Sequence, residues 1–143
     1  MKRNLLIIVL GFGFLIFMAW LGGILSAIEP RQPSAAVQTA RAGPYQLTLQ
    51  VNPNPPLPSQ PATLSIQVVR QESKQFVSNA QVVIESSMQT MDMGTDRVNA
   101  QYQESGLYLA HAQLIMSGPW SIRVLVTEPG SHTESATFEV TAQ

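Results

Sequence analysis

The chain has 143 residues, a net charge of −1 at pH 7, two histidines and no cysteine. That length holds one modest domain, and the missing thiols exclude a disulfide framework, a thiolate metal site and a catalytic cysteine. Beyond residue 28, six basic and nine acidic side chains leave −3, which excludes the basic face a nucleic-acid-binding protein uses to neutralise phosphates.

Lys2 and Arg3 precede an uncharged apolar run over residues 5–28. At about 1.5 Å per residue a helix of that length covers about 36 Å, enough to cross a hydrocarbon core of about 30 Å. The basic pair places the N-terminus in the cytoplasm and the rest of the chain outside. Residues 1–28 therefore read as a cytoplasmic stub and a single-pass anchor in the cell (inner or plasma) membrane. The competing reading is a cleaved signal peptide. Its apolar region usually spans about 7–15 residues, shorter than the run here, although Leu25-Ser26-Ala27 offers a peptidase small residues. Ala19, Gly23 and Ala27 form a stripe of small residues that lets a second helix approach, or is ordinary membrane-helix composition.

Residues 29–44 are rich in Pro, Ala and Gln and lack an apolar period, so they read as an extended extracytoplasmic tether. From residue 45 the period changes to two, the signal of half-buried strands. Tyr45, Leu47, Leu49 and Val51 alternate with polar residues. Residues 52–61 hold five prolines and cannot form a ladder strand. Leu64, Ile66 and Val68 alternate next, then Ala80, Val82 and Ile84 after a polar connection over 71–79. Residues 98–102 form a weaker strand pattern. Tyr108, Ala110, Ala112 and Leu114 alternate, with Leu107 and Leu109 making the opposite face apolar as well. Trp120, Ile122, Val124 and Val126 alternate cleanly up to a turn at Glu128-Pro129-Gly130. Ala136, Phe138 and Val140 close the chain. Seven short strands without a soluble helix predict an all-β fold, an antiparallel β-sandwich over residues 45–143.

Met88, Met91 and Met93 fall within six positions between two strand patterns. Thioethers are soft, neutral ligands suited to Cu(I), and they lose no proton on binding. A loop can fold these sulfurs around one ion, with His111 or Met116 as a further ligand from the neighbouring strand. In a regular strand His111 faces away from Tyr108, Ala110 and Met116. If Tyr108 and Trp120 mark the core, Met116 is buried packing and His111 points outward. The alternative for the three clustered methionines is gap-filling at the end of a sandwich or an adaptable docking surface. Asp92 and Asp96 lack the alternating ligands and glycine of a calcium loop and read as turn chemistry. His132 lies in a surface turn, and Trp120 is the large core residue. No nucleophile elbow, phosphate-cradling glycine loop or H-E-x-x-H motif is present, so the chain does not read as an enzyme.

The pattern Gly106-x-Tyr108-x-Ala110, then Leu114-x-Met116-x-Gly118-x-Trp120 and Ile122-x-Val124, resembles the YtkA-like and FixH-like group of bacterial membrane-anchored proteins. The likeness runs over about residues 62–126 and includes Val77-Ser78-Asn79-Ala80-Gln81-Val82-Val83-Ile84, a loop followed by an Ala-x-Val strand. It implies an extracytoplasmic immunoglobulin-like domain, and some members are linked to copper handling or to assembly of copper-containing respiratory oxidases. Some relatives carry histidines in or beside the methionine-rich turn; this chain has Thr95 and Asp96 after Gly94. Two functions follow as expectations. One is a membrane-anchored accessory or assembly factor of the metallochaperone kind, binding Cu(I) and passing it to a membrane complex such as a copper-containing respiratory oxidase or a copper transporter. The other is a metal-free structural or interaction subunit of such a complex.

Overall fold

The computed structural model describes residues 11, 13–20 and 33–143. Residues 11 and 13–20 are helical. The expected membrane span at 5–28 falls largely outside the described residues. Among those described, no helix is long and apolar enough to cross a membrane.

Residues 33–143 contain eight antiparallel strands, β1 Val37–Ala42, β2 Tyr45–Asn52, β3 Ala62–Arg70, β4 Gln81–Met88, β5 Thr95–Tyr102, β6 Leu107–Ala112, β7 Gly118–Thr127 and β8 Glu134–Ala142. Their order is β1-β2-β3-β6-β5-β4-β7-β8. The chain lays β1, β2, β3 and β6 in one layer and β5, β4, β7 and β8 in the other. It crosses between layers from β3 to β4, from β5 to β6 and from β6 to β7. The β5–β6 seam is laddered only at Gln101↔Leu109 and Tyr102↔Tyr108. The β1–β8 seam is closed without a ladder, where Gln38 Nε2 donates to the Glu139 carbonyl at 2.7 Å. The result is a nearly closed two-layer sandwich.

The period-2 pattern explains the core. Leu47, Leu49, Leu64, Ile66, Val68, Val82, Ile84, Ile122, Val124 and Val126 are all 0–1% exposed. Each alternates with a residue facing the other way, which is what a half-buried pleated strand requires. Trp120 and Phe138 complete the apolar interior.

Two expectations need correction. The segment read as a tether contributes β1, which pairs with all but the last two residues of β2, so there are eight strands where seven were expected. Its sequence, VQTARA, gives no apolar period, because its inward positions are Gln38, Ala40 and the buried Ala42. Met116 is not core. Strand β6 ends at Ala112, so the alternation read through Leu114 to Met116 runs into a loop; Leu114 stays buried and Met116 is 37% exposed.

A polar network lies at one end of the core. The Tyr45 hydroxyl donates to Glu128 Oε2 at 2.6 Å, and Arg70 Nη2 donates to both Glu128 oxygens at 2.6 and 2.7 Å. Glu128 itself is buried. Burial first, then the hydrogen bond to the Glu128 carboxylate, pushes the Tyr45 phenol up to about 12. The folded state thus holds this proton more tightly than the unfolded chain, whose phenol titrates near 10. The resulting stability is intact below about pH 10 and drains away as pH rises toward 12, by up to about 1.4 kcal/mol per pH unit from this group. Urea midpoints taken from pH 8 to 12 should fall over that interval in the wild type. The decline should be shallower in Tyr45→Phe, which starts from a lower midpoint because Glu128 loses one donor. Parallel curves would show that Tyr45 does not carry the effect.

Candidate functional site

The hairpin between β4 and β5 holds the methionine cluster. Met88 is the last residue of β4, opposite Trp120, and it is half-buried against the core. The turn is fixed at its base by Gln89, whose backbone N–H donates to the Pro119 carbonyl at 3.0 Å. At its tip the Gly94 N–H donates to Asp92 Oδ1 at 3.3 Å, the local turn chemistry expected of an aspartate two residues before. Gly94 takes φ +81°. Beyond it, β5 leaves with Thr95, Asp96 and Arg97 exposed.

The hairpin separates the sulfurs. Met88 and Met91 line one cavity of about 370 Å³ together with Gln89, Thr90 and Asp92. Met93 lines another, of about 280 Å³, against Ile115, Gln113, Asp96 and Trp120. Met91 and Met93 are 52% and 44% exposed, so neither is a core filler. Met116 belongs to the β6–β7 loop and lines neither cavity. Its carbonyl accepts a 2.9 Å hydrogen bond from Trp120 Nε1, which ties that loop to the core while the thioether stays outside.

His111 points outward from β6, as its parity with the buried Tyr108 and Ala110 predicts. Its Nδ1 lies 3.3 Å from Thr63 Oγ1 on β3. It lines a separate surface cavity with Val98, Asn99, Gln101 and Leu109, where β5 and β6 part. The five candidate ligands are thus distributed: Met88 with Met91, Met93 across the hairpin, and His111 and Met116 apart from both. Among the described residues no group of three or more His, Cys, Asp or Glu side chains is placed to hold a metal ion. Thioethers are soft ligands that suit Cu(I) better than the hard divalent ions.

Residues 39–125, well over half of the chain, match the model of the YtkA-like family. The chain belongs to the YtkA-like family. No curated protein and no solved structure matches it. The matched part of this YtkA-like chain runs from β1 into β7 and takes in the methionine hairpin, His111 and Trp120. The structure gives its Gly-x-Tyr motif a physical reason. Gly106 closes the β5–β6 turn at φ +72°, and the Tyr108 hydroxyl donates to the Val77 carbonyl at 2.9 Å and accepts from the Ala80 N–H at 3.2 Å. One phenol therefore pins the last part of the crossover, just before β4.

Sequence reasoning missed two residues. Ile115, 54% exposed, shares Met93's cavity; no period marks a loop residue. Glu128 was read as a turn residue, yet its parity continues Trp120, Ile122, Val124 and Val126 inward. That parity was the available signal.

Proposed function

We propose that this YtkA-like protein is a membrane-anchored, extracytoplasmic accessory or assembly factor that binds Cu(I) on its methionine hairpin and hands it to a copper-handling membrane complex. The observation that carries this reading is that Met88 and Met91 line one cavity at the mouth of the hairpin, with Met91 half in solvent. Two neutral thioethers form a soft site open to an incoming ligand, the arrangement that exchange with a partner requires. Met93, on the same six-residue stretch, lines the neighbouring cavity. His111 and Met116 are not needed for this site.

The single apolar run at residues 5–28 supports an anchor with the sandwich outside the cell membrane, the architecture also of FixH-like proteins. The layer order supports an immunoglobulin-like sandwich: β2, β3 and β6 correspond to one sheet, β8, β7, β4 and β5 to the other, and β1 is added at an edge. A second reading, a metal-free interaction subunit, is favoured by Met93, Ile115 and Met116, which stand exposed on adjacent loops.

The test is Cu(I) binding by the detergent-solubilised full chain in competition with a chromogenic chelator, beside a Met88→Leu/Met91→Leu/Met93→Leu variant. One equivalent should bind the wild type, and affinity should fall by at least about tenfold, or about 1.4 kcal/mol, in the variant with its unfolding midpoint kept. A wild type that leaves the chelator fully loaded removes the copper reading in favour of the interaction subunit.

A further inference from the structure

The two ends of the sandwich differ in chemistry. Strand register places the 53–61, 89–94 and 113–117 loops at one end, since Asn52 pairs with Thr63, Ala62 with Ala112 and Met88 with Trp120. Leu57, Met91, Met93, Ile115 and Met116 stand on these three loops, each at least 37% exposed. Elsewhere on the sandwich the large exposed apolar side chains are Val37, at the start of β1, and Phe76 and Tyr102, towards the opposite end. The three loops carry one charge, Asp92, and no lysine or arginine. The opposite end carries Glu72, Lys74, Glu104 and Glu134.

The chain also enters the sandwich at the apolar end. Val37 pairs with Gln50, near the end of β2. The Asn54 side-chain amide donates to the Ser34 carbonyl at 2.9 Å, and the Thr141 N–H donates to Ser34 Oγ at 3.4 Å. These bonds fix the entry point beside the proline-rich loop. From residue 28 to residue 33 the chain reaches no more than about 18 Å even when fully extended. Strand β4, eight residues long, spans about 26 Å. With residue 28 at the edge of the bilayer, a tether shorter than β4 does not let the far end of the sandwich point at the lipid.

We propose that the methionine-loop end of the sandwich lies on the lipid surface, with Leu57, Met91, Met93, Ile115 and Met116 entering the interfacial layer. The inference rests on the anchor reading of residues 5–28. The contact is apolar, because these loops offer no cation to anionic headgroups, so a neutral phosphatidylcholine bilayer suffices for it. Loop side chains of this kind settle at the boundary between headgroups and acyl chains. Placed there, the Met88–Met91 cavity opens at membrane level, next to any membrane-embedded partner.

The chain lacks cysteine, so single labels can be introduced directly. Leu57→Cys, Ile115→Cys and Met116→Cys, with Ser73→Cys and Ser131→Cys at the far end, are labelled with bimane in the full chain and reconstituted into phosphatidylcholine vesicles. Flotation after a carbonate wash reports the anchor. Doxyl-labelled phosphatidylcholine and iodide report lipid and water access. The three near-end labels should be quenched several-fold more by doxyl lipid than the far-end pair, with the reverse order for iodide. Chains that float with near-end labels no more lipid-quenched than the far-end ones overturn the proposal and leave the anchor standing. Chains that do not float overturn both. Near-end labels shielded from iodide yet insensitive to doxyl lipid overturn it in favour of a second copy covering that end.

Discussion

Gly106→Ala should destabilise the sandwich by roughly 3 kcal/mol, combining the strain of a side chain at positive φ with a clash that cannot relax. A β-carbon added at Gly106 would lie 2.6 Å from the Val68 carbonyl oxygen. That oxygen is backbone and is already committed, accepting from the Val77 N–H at 3.1 Å, while the Val68 N–H donates to the Gly106 carbonyl at 2.8 Å. The β5–β6 turn, β3 and the crossover into β4 therefore meet at one residue, Val68. Moving Val68 to make room breaks two backbone bonds, and moving the turn pulls Tyr108 from Val77 and Ala80. Gly94→Ala is the matched comparison. Its φ is +81°, yet nothing lies within 4 Å of the added carbon, so strain alone applies, about 1 kcal/mol. Urea denaturation of both variants separates the two causes. Equal losses would mean that the clash at Val68 relaxes and that the Gly-x-Tyr motif is not fixed by packing.

Strands were legible in this sequence where burial imposes a period, and illegible where it does not. Leu47, Leu64, Ile84, Ile122 and Phe138 announced their strands because one face of each strand is dry. Strand β1 turns only Gln38, Ala40 and Ala42 inward, too small and polar a face to mark a period; it is held by its ladder to β2 and by the Gln38 side chain bonded to Glu139, interactions that leave no pattern in composition. The alternation also ran one step too far at Met116, because period-2 reading cannot see where a strand stops pairing. At Glu128 it stopped one step too early, because a carboxylate at an inward position reads as a turn until Tyr45 and Arg70 are known to face it. The candidate site was legible in residue type only. Three thioethers on one short stretch point to soft-metal chemistry or to a contact surface. Their division between two cavities depends on the path of the hairpin and on Ile115 and Trp120, which the β6–β7 loop and β7 bring beside it.

Trp120→Ala should cost about 3–5 kcal/mol, the range for removing a large buried aromatic. A domain of this size has about 5–15 kcal/mol in hand, so the variant should remain folded with its thermal midpoint lowered by on the order of 10–20 °C. Trp120 is 5% exposed, stands opposite Met88 on β4 and Val140 on β8, and forms the floor of the cavity that holds Met93 and Ile115. Its indole N–H is also the bond that holds the Met116 carbonyl. Trp120→Phe keeps most of the apolar area and removes that bond, so it should cost only about 1–2 kcal/mol. The pair of variants bears on function as well as stability. Met88 and Met91 line a cavity that Trp120 does not, so Trp120→Phe should bind Cu(I) as the wild type does while its 113–117 loop exchanges amide hydrogens faster. Cu(I) affinity lost in Trp120→Phe, with the fold kept, would move the site to the Met93 side of the hairpin and make the β6–β7 loop part of it.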